Sequence, residues 1–242
     1  MESLFRYTAP ASTCGYLPAE RWSLEYEMVA NLAPAEYEVR LEKGWRRFGS
    51  LLFHPRCPDC QACQSLRVDV PQFLPNRSQR RAWRTNHGLI QIQVGKPCVT
   101  RAKLDLYDRF HAFQTEFKGW PEHPPKDVAS YRESYVHNPP FTEEWCYFLE
   151  GQLVGVGYAD RLPRSMSAIY FFYDPAARQH SLGTFNVLCL LAECARWQLP
   201  FLYLGYYVEG CRSLEYKSTF RPNQVRDSAG KWQDFLPQSG IE

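Results

Sequence analysis

The chain has 242 residues, of which 45% are hydrophobic and 15% aromatic, and its formal net charge at neutral pH is +2. This apolar content is sufficient for a packed core and excludes an intrinsically disordered chain. The N-terminal segment lacks the apolar stretch of a signal peptide, and no run of 18 apolar residues is present, so neither export nor a membrane span is expected. Nine cysteines without even spacing favour a reducing, cytoplasmic setting.

The charge is concentrated in one region. Residues 1–39 carry −4, residues 40–100 carry +8 and residues 101–242 carry −2. Between Gly44 and Arg84 there are eight arginines, no lysine and only two acids, Asp59 and Asp69. Such a local excess predicts a site for a nucleic acid or another polyanion.

In chain order, residues 1–95 read as short strands with one helix at about residues 35–43. Residues 65–70 and 89–94 alternate apolar and polar side chains as half-buried strands do. Apolar residues at positions 104, 107, 110, 113 and 117 are spaced by three and four, which predicts an amphipathic helix. Prolines at 121–125 and 139–140 punctuate the chain nearby. We therefore expect two domains, residues 1–100 and 101–242, with an approximate boundary.

The second half predicts a mixed sheet. A hairpin is expected over residues 145–150 and 153–160, then a strand at 167–174, a buried helix at 184–197, a strand at 201–208 and a short helix at 212–219. Strand, loop, buried helix and parallel strand form an α/β unit. The expected fold class is therefore mixed, α+β or α/β.

The loop before the buried helix is a candidate anion site, since exposed N–H groups at a helix N-terminus bind anions. Acyl-CoA N-acetyltransferases hold the cofactor pyrophosphate in such a loop. Only Arg178, Ser181 and Gly183 match their usual pattern here, so an ordinary β–α turn is the alternative.

The second candidate site follows the last long strand, because ligands of open α/β sheets bind near the carboxyl ends of strands. Glu209 could accept a proton, Lys217 could stabilise an oxyanion or phosphate, and Tyr206 or Tyr216 could donate to a developing charge. Each residue alone is more commonly a solvated side chain, and the cluster favours the functional interpretation.

Four cysteines form the third candidate site. Cys14, Cys57, Cys60 and Cys63 fit a zinc or iron–sulfur site by number, although the first lies over forty residues upstream of the others. The alternative is a set of reduced, partly buried thiols, with Cys14 acting alone near an active site. Four further cysteines are expected in the core, namely Cys98, Cys146, Cys189 and Cys194.

Residues 76–84 hold four arginines and Trp83. Arginine forks suit phosphates, and tryptophan offers a stacking face to an unpaired base. A solvated basic turn is the alternative, and the nearby Arg46, Arg47 and Arg56 favour the polyanion site.

Together these segments resemble the arginyl-tRNA–protein transferase family, and the match runs in order along nearly the whole chain. The segments that carry it are Cys14-Gly-Tyr-Leu-Pro18, Gly44-Trp-Arg-Arg-Phe-Gly49, Pro55-Arg-Cys-Pro-Asp-Cys-Gln-Ala-Cys63, Phe73-Leu-Pro-Asn-Arg-Ser-Gln-Arg-Arg81, Tyr170-Phe-Phe-Tyr-Asp-Pro175, Ser181-Leu-Gly183, Tyr203-Leu-Gly-Tyr-Tyr207 and Tyr216-Lys217. The length resembles the short bacterial branch, which includes leucyltransferases. Leucine is therefore expected over arginine as the donor amino acid, although no motif marks its pocket.

The resemblance implies transfer of an amino acid from aminoacyl-tRNA to the α-amine of a protein that begins with Asp or Glu, creating a degradation signal. It also implies a family-specific N-terminal domain followed by an N-acetyltransferase-like domain, with no cofactor required for catalysis. The residues expected to bind tRNA or the protein substrate are Tyr16, Arg46, Arg47, Arg77, Arg80, Arg81, Arg178 and Gly183. Some eukaryotic members bind zinc or an iron–sulfur cluster through a Cys-Gly-Tyr-Cys pair, in which Leu17 stands here for the second cysteine.

Because the aminoacyl ester is already activated, the reaction needs a modest base and a stabilised oxyanion. Asp174 and Glu209 are the candidate bases, with Tyr206 and Lys217 beside them. Two alternatives stay open at this point: a CoA-dependent N-acetyltransferase, and a metal-stabilised RNA-binding module without catalysis. The chain is expected to act as a monomer in the cytoplasm.

Overall fold

The described residues form two large β-sheets and a third sheet of two short strands, Ser12–Thr13 and Arg21–Trp22. The structure is a computed structural model that describes residues 1–122 and 124–235. The strands are β1 (Glu2–Thr8), β2 (Ser12–Thr13), β3 (Arg21–Trp22), β4 (Leu24–Ala30), β5 (Arg46–Phe48), β6 (Leu51–Pro55), β7 (Gln64–Asp69), β8 (Ile90–Gly95), β9 (Thr142–Leu149), β10 (Gln152–Arg161), β11 (Ser165–Tyr173), β12 (Phe201–Tyr207), β13 (Asn223–Arg226) and β14 (Trp232–Asp234).

The smaller sheet is antiparallel, with strand order β1-β4-β6-β5, and helix α1 (Pro34–Glu42) follows β4. The larger sheet has eight strands in the order β14-β13-β7-β12-β11-β10-β9-β8. In it only β11 and β12 run parallel, and every other neighbouring pair is antiparallel. The predicted mixed sheet in a mixed α and β chain is therefore confirmed.

Helices cover both faces of the larger sheet. On one face lie α2 (Arg77–Asn86) and α5 (Leu182–Arg196), which share a core with apolar residues of β7, β9 and β12. On the other lie α3 (Arg101–Lys118), α4 (Val128–Tyr131) and a π-helical segment (Arg132–Val136). Helix α5 joins the parallel strands β11 and β12, so the predicted strand–helix–strand crossover is present. No helix in the described part of the chain is long and apolar enough to cross a membrane.

Three shorter helical segments connect these elements: a 3₁₀ helix (Pro175–His180) before α5, then α6 (Arg212–Glu215) and a second 3₁₀ helix (Tyr216–Thr219) after β12. Strands β7 and β8 precede residue 100 and yet belong to the larger sheet. That sheet therefore draws on both sides of the predicted domain boundary, and the boundary stays a prediction.

Helix α2 corrects the expectation of a single helix before residue 95, and it replaces the basic turn that was the alternative for residues 76–84. The Asn76 side chain accepts a hydrogen bond from Gln79 N at 3.0 Å, and the Gln79 side chain accepts one from Asn76 N at 2.9 Å. This reciprocal capping starts the helix. Its inner face is polar: Gln79 Nε2 donates to Thr219 O at 3.1 Å, and Asn86 Nδ2 donates to His180 O at 2.6 Å.

A buried ion pair joins the two sheets. Arg47 on β5 contacts Asp160 on β10, and both side chains are fully buried. The guanidinium also donates to Gly49 O and Asn138 Oδ1, each at 2.7 Å, and to Thr142 Oγ1 at 2.5 Å. With its donors used in the interior, Arg47 cannot contact tRNA or a protein substrate, which corrects that prediction.

Candidate functional site

The parallel strands of the larger sheet separate at their carboxyl ends. β11 and β12 pair over three positions only, from Ser165 with Phe201 to Ser167 with Tyr203. Beyond these pairs β11 continues to Tyr173 and β12 to Tyr207. The register of β12 against β7 also shifts at Gly205, and such bulges commonly lie beside active sites. The sheet therefore opens at the edge where α/β folds bind ligands.

Two buried cations flank the bulge. Arg46 Nη2 donates to Gly205 O at 3.1 Å, and Lys217 Nζ donates to Tyr206 O at 2.8 Å. The two residues are 5% and 9% exposed. A Cβ at Gly205 would lie 3.3 Å from Lys217 Nζ and 4.0 Å from Arg46 Nε, and the φ of this residue is +90°. Glycine therefore allows both cations to approach the strand.

Neither of these cations has an acidic partner in the described part of the chain. In residues 1–122 and 124–235, no carboxylate is within ion-pair distance of Arg46 or Lys217, and Arg46 Nε has no hydrogen-bond acceptor. Burial and the neighbouring Arg46 lower the pKa of Lys217 from 10.5 to about 7. Since buried charges in proteins are normally paired, this arrangement favours an incoming anion.

Tyr206 lines the site, and its hydroxyl is not suited to donate a proton to a substrate. Its hydroxyl donates to Gly44 O at 2.8 Å, and burial raises the pKa of Tyr206 well above 10. The Arg46 guanidinium lies 5.5 Å from the ring centres of both Tyr203 and Tyr206, so the rings hold it by cation–π contact.

A pocket of about 220 Å³ opens beside Tyr206 and Gly44. Its other lining residues include His54, Arg56, Cys57, Cys60, Cys63 and Arg226. His54 Nδ1 and Arg226 Nε are buried without hydrogen-bond partners. A larger groove of about 800 Å³ lies among β8, β9 and α5 and shares no lining residue with this pocket.

The predicted cysteines gather around Cys63. Burial, together with the thiols of Cys57, Cys14, Cys60 and Cys211, raises the pKa of Cys63 to about 12. Cys211 was not among the predicted ligands, and its position just after the β12 segment was the signal available in the sequence. The turn before it is close to the N-terminal segment, since a Cβ added at Gly210 would lie 3.7 Å from a methyl carbon of Leu17.

The thiol cluster is not arranged as a metal site. Cys14 Sγ accepts hydrogen bonds from the backbone N–H groups of Tyr16 and Leu17, both at 3.4 Å. Within the described residues, no three cysteine, histidine, aspartate or glutamate side chains are placed so that they could hold a metal ion. The present positions therefore do not fit the implied zinc or iron–sulfur centre, which stays a prediction. Tyr16 lies against the same thiols, and burial raises its pKa to about 12.

Helix α2 presents a basic face to solvent. Arg77, Arg80, Arg81 and Arg84 are all exposed, and none forms an ion pair in the described part of the chain. The hydrogen bonds of α2 to Thr219 and His180 place this helix between two predicted site segments. One of them carries Lys217, and the other carries Arg178 and leads to Gly183. Arg178 is exposed, and the space in front of Gly183, in the first turn of α5, is open.

The remaining candidates are not brought to this centre by a described contact. Asp174 accepts from Ala176 N at 3.0 Å and pairs with Arg109 at 2.9 Å, so it caps the first 3₁₀ helix at the end of β11. Glu209 is exposed on the turn after β12, and Tyr216 is 46% exposed beside Lys217. The catalytic roles of Asp174 and Glu209 stay predictions.

Comparison with known proteins identifies the family. A profile described as "Arginine-tRNA-protein transferase, N terminus" matches residues 12–81, and the corresponding C-terminal profile matches residues 102–227. The chain therefore belongs to the arginine-tRNA–protein transferase family, and it is an aminoacyltransferase. The predicted resemblance is confirmed.

Similar curated proteins bear one name, aspartate/glutamate leucyltransferase. That of Helicobacter hepaticus is 34% identical over 92% of both chains, and that of Nitrosococcus oceani is 36% identical over 93% of this chain and 94% of its own. The Pseudomonas syringae protein is 33% identical over 90% and 92%. Among solved structures, L-PGS from Bacillus licheniformis aligns with 75% of this chain and 53% of its own, at 12% identity and a TM-score of 0.42.

Proposed function

We propose that this chain transfers leucine from leucyl-tRNA to the α-amine of proteins that begin with Asp or Glu. The names of its relatives support both substrates. The observation that carries the proposal is the buried pair of Arg46 and Lys217, which lies at the opening between β11 and β12 and has no carboxylate partner among the described residues.

An N-terminal Asp or Glu supplies the missing charge. Its side-chain carboxylate would accept from Arg46 Nε and Lys217 Nζ, both buried, and charge-assisted hydrogen bonds of this kind are the strong ones. An N-terminal Asn or Gln would leave the two cations unpaired, so the same pocket rejects the amides. The pocket lined by His54, Arg56 and Arg226 provides room next to Tyr206 for the rest of the peptide.

The basic face of α2 would hold the tRNA. Arg77, Arg80 and Arg81 form no ion pair with any residue that the structure describes, and arginine contacts with phosphate provide most of the affinity of such surfaces. Arg178 and the first turn of α5 would extend this surface toward the acceptor end, because helix N-terminal N–H groups favour phosphate.

The reaction forms one bond and breaks another. The free α-amine attacks the ester carbonyl of leucyl-tRNA, the C–N bond forms, and the ester C–O bond to the terminal ribose breaks. The amine loses one proton, and the ribose oxygen gains one. The α-amine has a pKa of about 7.7–8.0, so a modest base suffices, and Glu209 remains the predicted proton acceptor. The new N-terminal leucine would act as the degradation signal.

We propose that these steps require no cofactor, and no step is assigned to zinc or an iron–sulfur cluster, which the present positions of the cysteines do not fit. The cytoplasm is the proposed setting, and a monomer is the proposed working form.

The test is a transfer assay with purified protein. Leucyl-tRNA and arginyl-tRNA are each offered with peptides that begin with Asp, Glu, Asn or Ala. We expect leucine on the Asp and Glu peptides. Absence of transfer from both tRNAs would refute the proposal. Acetylation of the peptides from acetyl-CoA would instead favour a CoA-dependent N-acetyltransferase.

A further inference from the structure

The opening between β11 and β12 is bridged by a row of aromatic rings. We define the aromatic row as Tyr206, Phe53, Phe48 and Tyr170. Phe53 lies edge-on to Tyr206 with ring centres 6.4 Å apart, Phe48 stacks on Phe53 at 5.9 Å, and Phe48 meets the edge of Tyr170 at 6.3 Å. The row therefore starts at the residue whose carbonyl holds Lys217 and ends on β11.

We propose that the aromatic row binds the side chain of the donor amino acid and selects an apolar one, leucine, over arginine. This inference rests on the proposed function, and it assigns the donor pocket that no sequence motif marks. The acceptor carboxylate would lie at Arg46 and Lys217, so the row next to them is where the aminoacyl side chain can extend while its ester carbonyl faces the α-amine.

The hydroxyl groups of the aromatic row already form hydrogen bonds within the protein. The Tyr206 hydroxyl donates to Gly44 O at 2.8 Å, and the Tyr170 hydroxyl is hydrogen-bonded to His111 Nε2 at 2.9 Å. Phe48 and Phe53 have no polar atoms. A guanidinium could stack on these rings, as Arg46 does on Tyr206, but its N–H donors would lose water and find no free acceptor among the atoms of the row, whereas an isobutyl group has no polar atoms to desolvate.

The row is open to solvent at Phe48, and the hairpin that carries Phe48 is held in place from two sides. Phe48 is 38% exposed although it lies between the buried Arg47 and Gly49. The buried ion pair of Arg47 with Asp160 ties the β5–β6 hairpin to β10. At its tip, Gly49 has φ +54°, and a Cβ there would lie 2.8 Å from Glu133 O, so the turn is packed directly against the π-helical segment. A binding wall fixed from two sides is preorganised for its ligand.

The experiment uses one tRNA charged with leucine, alanine or arginine, and a peptide that begins with Glu. The measured quantities are kcat/KM for each donor and the KM of the peptide, for the full chain and its Phe48→Ala and Phe53→Ala variants. We expect each variant to reduce the leucine-to-alanine ratio about tenfold, the loss typical of a removed apolar contact, with the peptide KM unchanged. Phe48→Glu should raise arginine transfer relative to leucine.

Phe117→Ala is the matched control, because Phe117 is 65% exposed on α3, outside the row, and should leave the ratio unchanged. Phe48→Leu restores apolar contact and should recover most of the preference. An unchanged leucine-to-alanine ratio in both alanine variants, or an equal loss for all donors with a raised peptide KM, would overturn the assignment. A failure of the proposed function itself is distinguishable, because the wild-type chain would then transfer no leucine to the Glu peptide.

Discussion

Arg46 and Lys217 donate to consecutive carbonyl groups of one strand, those of Gly205 and Tyr206, at 3.1 Å and 2.8 Å. They come from β5 and from the segment after α6, so the pair forms only when the two sheets pack together. Two like charges held in the interior destabilise the free protein. That cost makes the pair a strong receptor for a carboxylate, because the ligand removes the repulsion as it binds.

Lys217→Met should abolish the distinction between acidic and amide N-termini. Methionine keeps the length of the side chain and removes its charge. Removing one partner of a buried charge pair typically costs 2–5 kcal/mol, a factor of about 30 or more. We expect the ratio of kcat/KM for Asp and Asn peptides to fall by about that factor. Lys118→Met, at an exposed position on α3, is the control. An unchanged ratio in Lys217→Met would show that Lys217 does not bind the acceptor carboxylate.

The same lysine should make the stability of the free protein depend on pH. Burial and Arg46 lower the pKa of Lys217 to about 7, and the thiols of Cys211 and Cys63 that face it oppose the shift. The unfolded chain, with a lysine pKa of about 10.4, binds more protons than the folded chain between about pH 7 and 10. Stability therefore rises with pH across this window and is lowest, from this group, below pH 7.

Thermal unfolding of the wild type and of Lys217→Met from pH 6 to pH 10 tests whether stability rises with pH as expected. We expect the variant to have the higher Tm at pH 6, by about 5 °C or more, since 1 kcal/mol moves the Tm of a chain of this size by about 2–4 °C. The difference should shrink toward pH 10. A variant that is less stable at pH 6 would mean that Lys217 has an acidic partner in the folded state.

The sequence was sufficient to predict the elements that have apolar periodicity. Helix α3, the β9–β10 hairpin and the crossover through α5 all lie near their predicted positions. Helix α2 was missed because two of the three buried residues on its inner face, Gln79 and Asn86, are polar and hydrogen-bond there, and only Ala82 is apolar. The pair Asn76 and Gln79, spaced as a capping box, was the signal that could have revealed it.

The candidate site also depends on contacts that the sequence does not show. Arg46 and Arg47 are neighbours of one residue type, yet side chains of successive strand residues point to opposite faces. One reaches the opening beside β12 and the other the interior, and only the register of the β5–β6 hairpin decides which. Cys211 lies near Cys63, a proximity of residues far apart in the chain that spacing within one segment does not reveal.

Replacing Arg77, Arg80 and Arg81 together with alanine should weaken tRNA binding and flatten its salt dependence. Each phosphate contact contributes about 0.7–0.9 to the slope of log K against log salt. We expect the slope to fall by about 2–3 in the triple variant, measured by binding titrations between 50 and 200 mM salt. Arg101, Arg132 and Arg164 are exposed arginines elsewhere on the chain, and their triple alanine variant is the control. Equal slopes in the two triple variants would show that α2 is not the tRNA surface.

Arg47→Ala should lower the free energy of unfolding of the protein, whereas the α2 variants should weaken tRNA binding. Its guanidinium is fully buried against Asp160 and shares Thr142 and Asn138 as acceptors. Removing one partner of a buried, hydrogen-bonded ion pair costs about 3–5 kcal/mol, because the other charge is left unpaired. Urea unfolding should therefore show a large fall in the midpoint for Arg47→Ala and for Asp160→Ala. In the double variant the loss should be smaller than the sum of the two single losses, since no unpaired charge remains. If Arg47→Ala were as stable as the wild type and bound tRNA weakly, Arg47 would instead be a substrate-binding residue.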